Sequence, residues 1–352
     1  MLLEKLSNAR GVSGNENEVR EILIDAIKDR VTEYRVDTLG NLIALKKAKG
    51  ARPSTALRTR APLRVMLAAH MDEVGLLIVH HDSNGHLRFA KVGSIDDRVL
   101  LSKVVLIGND KIPGVIGVKP IHLLKQRERE QVIDADSLTI DIGASSKENA
   151  QGAVKVGDYA TFATEFSKFG DGLVKGKALD DRVGCAVLVE ILKRDFPFDL
   201  YGVFTVQEEV GARGARVAAH AIAPDVAFVL EGATCDDSPK KKDVSPVTRV
   251  GAGPAITVAD SSMIADRRLV QLLVATAQEQ RIPFQFRVPS VRGGTDAGRI
   301  HIARDGIPSA VVSVATRYIH SPVSVLSLRE FENVIALMNK ALPKLAKGLP
   351  DL

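Results

Sequence analysis

Histidine and carboxylate residues recur in this sequence at points where a short apolar run stops. His70-Met-Asp72 follows the run Leu63 to Ala69, and Glu208-Glu209 follows Tyr201 to Val206. Glu231 follows Val226 to Leu230, His320 lies beyond Ala310 to Val314, and Asp180-Asp181 precedes a helix-like stretch beginning near Val183. Two imidazoles with several carboxylates suit zinc, cobalt or manganese. A single ion does not need so many negative ligands, whereas two cations sharing one bridging carboxylate do, as in aminopeptidases and phosphatases. Asp72, two residues beyond His70, is placed to accept the second ring N–H and fix the tautomer. Taken singly, each motif has a plainer reading: a Glu pair is usually solvated and an Asp pair before an apolar helix is usually an N-cap. Their common position after apolar strands favours a shared site.

The elements that must position these residues read as an α/β sandwich. Leu63–Ala69, Tyr201–Val206, Val226–Leu230 and Ala310–Val314 are buried strands, and Val183–Leu192, Gln271–Gln280 and Leu328–Leu345 are helical. Ligands of open α/β sheets bind at the carboxyl ends of strands, where these side chains fall. Ser13-Gly-Asn-Glu16 reads as a capping box opening a helix that carries Val19, Ile22, Leu23, Ala26 and Ile27 at helical spacing. Val31–Asp37 and Leu42–Lys46 read as strands joined by a Gly40-Asn41 turn. From Val74 to Phe162 the character changes to short strands closed by turns, with Ser83-Asn84-Gly85 as a hairpin signal. The organisation predicted is one catalytic α/β domain of residues 1–72 and 166–352, with a mixed sheet, and a β-rich, barrel-like domain inserted at 73–165.

Composition narrows the partners. The 352 residues carry two cysteines, Cys185 and Cys235, and no disulfide framework is written into the spacing. With no signal segment and no apolar stretch long enough to span a bilayer, the expectation is a cytoplasmic protein with no membrane partner. The net charge of +5 is spread over polar stretches such as Lys46 to Arg64, Arg127 to Arg129 and Lys240 to Lys242, with little aromatic interleaving, so nucleic acid is not expected as a partner. Ser261-Ser262 completes no Ser/His/Asp pattern, and Gly251-Ala-Gly253 has neither P-loop nor dinucleotide spacing. His80, His81, His122 and His301 read as structural or exposed.

Together the segments Ala69-His-Met-Asp-Glu-Val-Gly75, Leu179-Asp-Asp-Arg-Val-Gly184, Val206-Gln-Glu-Glu-Val-Gly211, Glu231-Gly, Gly293-Gly-Thr-Asp-Ala-Gly298 and Arg317-Tyr-Ile-His-Ser-Pro322 resemble the TET-type dinuclear metallo-aminopeptidases, family forty-two of the metallopeptidases, which includes glutamyl aminopeptidase- and endoglucanase-labelled proteins. The resemblance spans nearly the whole chain. It implies that His70, Asp180 and Glu231 hold one ion, that Asp180, Glu209 and His320 hold the other, that Glu208 is the general base and that Asp72 supports His70. It also implies a PDZ-like inserted domain used for dimerisation, a cis Asp180–Asp181 peptide, peptide substrates, and self-assembly from a dimer up to a hollow tetrahedral dodecamer. Two departures are noted: Glu231 stands where many members carry Asp, and the basic segment Lys47–Pro62 is longer than usual. Arg292, before Gly293, reads as a surface arginine, with a bias of the pocket towards acidic N-terminal residues as the alternative. Rival activities are a metal-dependent N-acyl-amino-acid deacylase, a glycan hydrolase and a non-catalytic shell.

Overall fold

The computed structural model describes residues 1–49, 62–238, 248–287 and 293–348. Arg292, Lys240 to Lys242 and most of the basic segment 47–62 lie outside the described residues.

Strands β1 (Glu33–Val36) and β2 (Leu42–Lys46) form a hairpin, and β3 (Arg64–His70) follows. The chain then builds β4 (Gly75–His81), β5 (Leu87–Val92), β6 (Val104–Ile107), β7 (Ile112–Ile116), β8 (Ile140–Asp141) and β9 (Tyr159–Phe162), which close into an antiparallel barrel in the order β4-β5-β8-β7-β6-β9. It returns through β10 (Ser167–Phe169), β11 (Leu173–Gly176), β12 (Asp199–Thr205), β13 (Val226–Cys235), β14 (Ala255–Thr257), β15 (Gln285–Arg287), β16 (Ser309–Arg317) and β17 (Ser324–Ser327). With β1 to β3 these make a mixed 11-stranded sheet whose main path is β1-β2-β12-β3-β13-β16-β17-β11-β10.

The central strands β12, β3, β13 and β16 run parallel. Alternate residues of β3 feed opposite faces. Val65, Leu67 and Ala69 join the core made with the helices Leu2–Asn8, Asn17–Ile27, Leu179–Leu192 and Leu328–Ala341, while Met66 and Ala68 join the core under the helix Arg213–Ile222. A strand buried on both faces reads as a continuous apolar run, which is why these strands were legible. The protein is therefore an α/β sandwich with a mixed sheet and an inserted β-barrel. Leu76, Ile78, Phe89, Ile107 and Ile140 fill the barrel with a separate core.

Two local expectations change. The Ser13–Glu16 segment is not a capping box: the helix starts at Asn17 with Glu16 as N-cap and no side-chain cap, because the side chains of Ser13 and Glu16 are bonded elsewhere. Strand β13 runs through Glu231 to Cys235 instead of stopping at Leu230, since its pairing with β16 continues from Ala227 to Cys235. The helix Leu179–Leu192 begins, as expected, with a cis Asp180–Asp181 peptide, its two residues non-helical (Asp180 φ −86°, ψ 108°; Asp181 φ −119°, ψ 40°). Among the described residues, no helix is long and apolar enough to cross a membrane.

Candidate metal centre

Parallel strands deliver the candidate residues to one sheet edge. His70 ends β3, Glu208 and Glu209 follow β12, Glu231 lies in the outer half of β13, and His320 follows β16. Asp180 reaches the same edge from the start of its helix. The connecting backbone is unusual here: Ala178, Gln207, Tyr318 and His320 all have φ between 54° and 61°. Left-handed conformations in non-glycine residues gather where surrounding structure fixes a functional geometry.

His70 is buried and its Nε2 faces carboxylates: Asp180 Oδ1 at 3.3 Å, Glu231 Oε1 at 3.3 Å and Glu208 Oε2 at 4.0 Å. His320 Nε2 lies 3.3 Å from Glu209 Oε2 and 3.6 Å from Asp180 Oδ2. Donor atoms of His70, Asp180 and Glu231 fall within 4.8 Å of one another, and so do those of Asp180, Glu209 and His320. Asp180 belongs to both groups, one oxygen to each.

Asp72 ties this edge together. Its Oδ1 accepts from the Glu208 amide at 2.9 Å and faces His70 Nδ1 at 3.4 Å; its Oδ2 accepts from the Glu209 amide at 3.1 Å and the Ser13 hydroxyl at 2.6 Å. His70 Nδ1 also lies 3.1 Å from the Asp72 backbone carbonyl, so the ring orientation of His70 and the backbone of both glutamates depend on one buried residue. Asp181 accepts from the His70 amide at 3.1 Å and the Gly184 amide at 2.9 Å. A Cβ on Gly184 would lie 2.4 Å from both Asp181 Oδ1 and Leu230 O, so the helix approaches β13 only because that residue is glycine.

A second buried cluster went unread in the sequence. Glu73 pairs with Lys177 at 2.7 Å and Arg182 at 3.2 Å, and Arg182 Nε also donates to Met71 O at 2.8 Å. It fastens the segment after His70 to the chain on both sides of Asp180. A period or motif analysis does not pair residues 104 positions apart. Asp296 was missed likewise: fully buried, it accepts from Thr205 Oγ1, and its Oδ1 has no partner among the described residues.

The electrostatics are those of a site short of positive charge. Burial raises Glu209 to about 8 and Glu231 to about 7, with Asp180 adding to both. Burial, then the charges of Asp296, Glu231 and Glu209, pushes Glu208 well above the carboxylate range. Burial opposes ionisation of Asp180 too, but hydrogen bonds from His320 and His70 hold it below the usual range. Burial disfavours the charged form of His320, yet Asp180 and Glu209 raise it to about 9. The buried Oε2 of Glu231 has no partner among the described residues. Crowded carboxylates with two imidazoles and an unpartnered oxygen are a donor set that divalent cations satisfy.

These residues line a cavity of about 560 Å³ whose wall also includes Arg287, Thr295, Arg299 and His301. His301, read in the sequence as structural or exposed, therefore borders the site. Cys235 does not: it is buried and donates to Thr248 O at 3.0 Å.

The sequence profile described as M42 glutamyl aminopeptidase matches residues 50–337. The lysyl aminopeptidase of Pyrococcus furiosus is 33% identical over 351 residues, covering 98% of this chain and 96% of that protein. An aminopeptidase structure from the archaeon Desulfurococcus kamchatkensis superposes with a TM-score of 0.90 at 35% identity, covering 100% of this chain and 97% of that one. The TET1 peptidase of Pyrococcus horikoshii, which can assemble into a tetrahedron or a large octahedral shell, gives 0.84 at 37% identity over 97% of this chain and 99% of that one. The chain belongs to the M42 glutamyl aminopeptidase family, a family of hydrolases acting on peptide bonds.

Proposed function

We propose that this protein is a dinuclear metallo-aminopeptidase that removes N-terminal residues from peptides. The observation that carries the reading is the placement of Asp180, whose two oxygens serve two His-and-carboxylate groups. His70, Asp180 and Glu231 would hold one divalent ion, and Asp180, Glu209 and His320 the other; zinc and cobalt suit the mixed nitrogen and oxygen donors, with manganese also compatible. Two ions held by these residues would supply Lewis acidity to polarise the scissile carbonyl and to lower the pKa of the attacking water.

The chain's own groups do the rest. Glu208 is the general base, taking a proton from the water and returning it to the leaving amine. Its carboxylate stands 4.0 Å from His70 Nε2, close to the centre without belonging to either metal-holding group. Asp72 holds the imidazole of His70 and both glutamate amides in register. The substrate's free α-amine would bind near a metal or an acidic side chain, which makes the enzyme an exopeptidase. We assign residues 1–72 and 166–352 to the catalytic domain and 73–165 to a dimerisation domain. We also infer that the chain forms a homo-oligomer, up to a tetrahedral dodecamer, with peptides as substrates.

The test is an aminoacyl-anilide panel assayed beside N-acetylated amino acids, with wild type and Glu208→Gln. The expected result is cleavage of anilides with free α-amines, and a Glu208→Gln variant that keeps its metal but loses about a thousandfold in kcat. Cleavage of the acetylated compounds alone would move the assignment to a deacylase, and full activity of the variant would remove Glu208 from its role.

A further inference from the structure

The backbone amides of the turn that carries Glu208 all donate to side chains. Beyond β12, Val206 donates to Asn41 Oδ1 at 3.0 Å, Gln207 to Glu16 Oε1 at 3.3 Å, Glu208 to Asp72 Oδ1 at 2.9 Å and Glu209 to Asp72 Oδ2 at 3.1 Å. The strained member of this run is Gln207, with φ 57° in the left-handed region. A non-glycine residue persists there only where its surroundings fix it. Its backbone angles set the direction in which the next residue, Glu208, leaves the sheet.

Glu16 supplies that constraint. It is 3% exposed, and its Oε1 accepts the Gly14 amide at 2.7 Å as well as the Gln207 amide. The segment around it is fastened on several sides. Ser13 donates to Asp72, Gly11 O accepts the Glu73 amide at 2.9 Å, and Arg10 pairs with Glu18 at 2.8 Å. Lys111 of the inserted barrel reaches Glu18 at 3.6 Å. Gly14, with φ 92°, lies under the hydroxyl of Tyr159 in β9, where a Cβ would stand 2.8 Å from that oxygen. A carboxylate buried on this strap is a fixed point for Gln207, 191 residues away in sequence.

We propose that Glu16 is a positioning residue for catalysis, holding the Gln207 amide and through it the direction of Glu208. The inference rests on the reading of Glu208 as the general base. Glu16 belongs to neither metal-holding group and is not among the residues lining the cavity, so it acts on the reaction through the turn.

The test compares wild type, Glu16→Ala, Glu16→Met and Glu16→Gln at saturating cobalt, on the aminoacyl-anilide that wild type cleaves best. Glu16→Ala should lose about 10- to 100-fold in kcat, since a catalytic group displaced by about 1 Å costs up to about 100-fold. KM should stay within about threefold, the mark of an interaction that matters in the transition state, and added metal should not restore the rate. Glu16→Met keeps the volume without an oxygen; it should match Glu16→Ala and stands in for it if the space left by Ala prevents folding. Glu16→Gln keeps an oxygen that accepts from Gln207 while removing the charge, and should lose less than about threefold. In a Glu208→Gln background, Glu16→Ala should change kcat by less than about twofold, because a residue acting through Glu208 has nothing left to position. One reading needs no turnover: hydrogen exchange of the peptide covering Val206 to Glu209 should quicken about tenfold in Glu16→Ala and Glu16→Met but not in Glu16→Gln. If wild type cleaves no anilide, or Glu208→Gln alone keeps full activity, the aminopeptidase reading fails and the exchange rates alone decide whether Glu16 anchors the turn. Wild-type kcat in Glu16→Ala and Glu16→Met, a loss of equal size in the Glu208→Gln background, or unchanged exchange would each overturn the proposal.

Discussion

His70 and His320 face opposite oxygens of a single carboxylate, Asp180, at 3.3 and 3.6 Å. If that carboxylate bridges two ions, its removal affects both. Asp180→Ala should therefore bind less than one divalent ion per subunit, whereas Glu231→Ala should keep the ion on the His320 side. Metal content after dialysis, measured by plasma mass spectrometry, checks this; two ions retained by Asp180→Ala would contradict it.

Ser13 lies 59 residues before Asp72 yet donates to it at 2.6 Å. Removing a partner that orients a ligand-supporting carboxylate typically costs 10- to 100-fold in metal affinity or activity. Ser13→Ala should lose about tenfold in kcat/KM, partly restored by excess metal, and Ser13→Thr should retain most activity. An Ala variant equal to wild type at limiting metal would show that Asp72 is held well enough by the amides of Glu208 and Glu209.

Glu73 is the only carboxylate that the described residues offer to Lys177 and Arg182 as an ion-pair partner. Glu73→Ala leaves two buried cations uncompensated, a loss of about 3–5 kcal/mol in stability. Denaturant unfolding of the metal-free protein measures it. A loss below about 1 kcal/mol would mean that the carbonyls of Met71, Leu6 and Ala9 suffice.

Glu330, 1% exposed, accepts from the Gly253 amide at 3.0 Å, and burial raises its pKa to about 7 from 4.5. The folded state then holds its proton more tightly than the unfolded state, so this residue's contribution to stability declines as pH rises from about 4.5 to 7. The decline approaches about 3 kcal/mol at most. Glu330→Gln, which keeps the acceptor for Gly253, should gain on wild type between pH 5 and pH 8. Thermal unfolding at the two pH values reads the difference, and parallel behaviour of the two proteins would contradict it.

How far the sequence revealed this site follows from physical range. Buried parallel strands such as β3 and β16 announce themselves as unbroken apolar runs, so the ends where His70 and His320 stand could be located without coordinates. Glu231 stands beside His70 although its strand reads as ending at Leu230, because a charged residue inside a doubly buried strand looks like a boundary. The role of Ser13 was misread because Ser-x-x-Glu before a helix has a local explanation, and only the fold shows that its hydroxyl goes to Asp72. The Glu73–Lys177–Arg182 cluster left no local signal. Its meaning lies in who is beside whom across long separations.

The central claim is a site that works with two ions. Chelator-stripped protein should be titrated with cobalt while aminoacyl-anilide hydrolysis and bound metal are followed together. The account predicts two equivalents bound per subunit, with activity restored only as the second fills. Full activity at one equivalent, or activity that survives complete removal of metal, would contradict it.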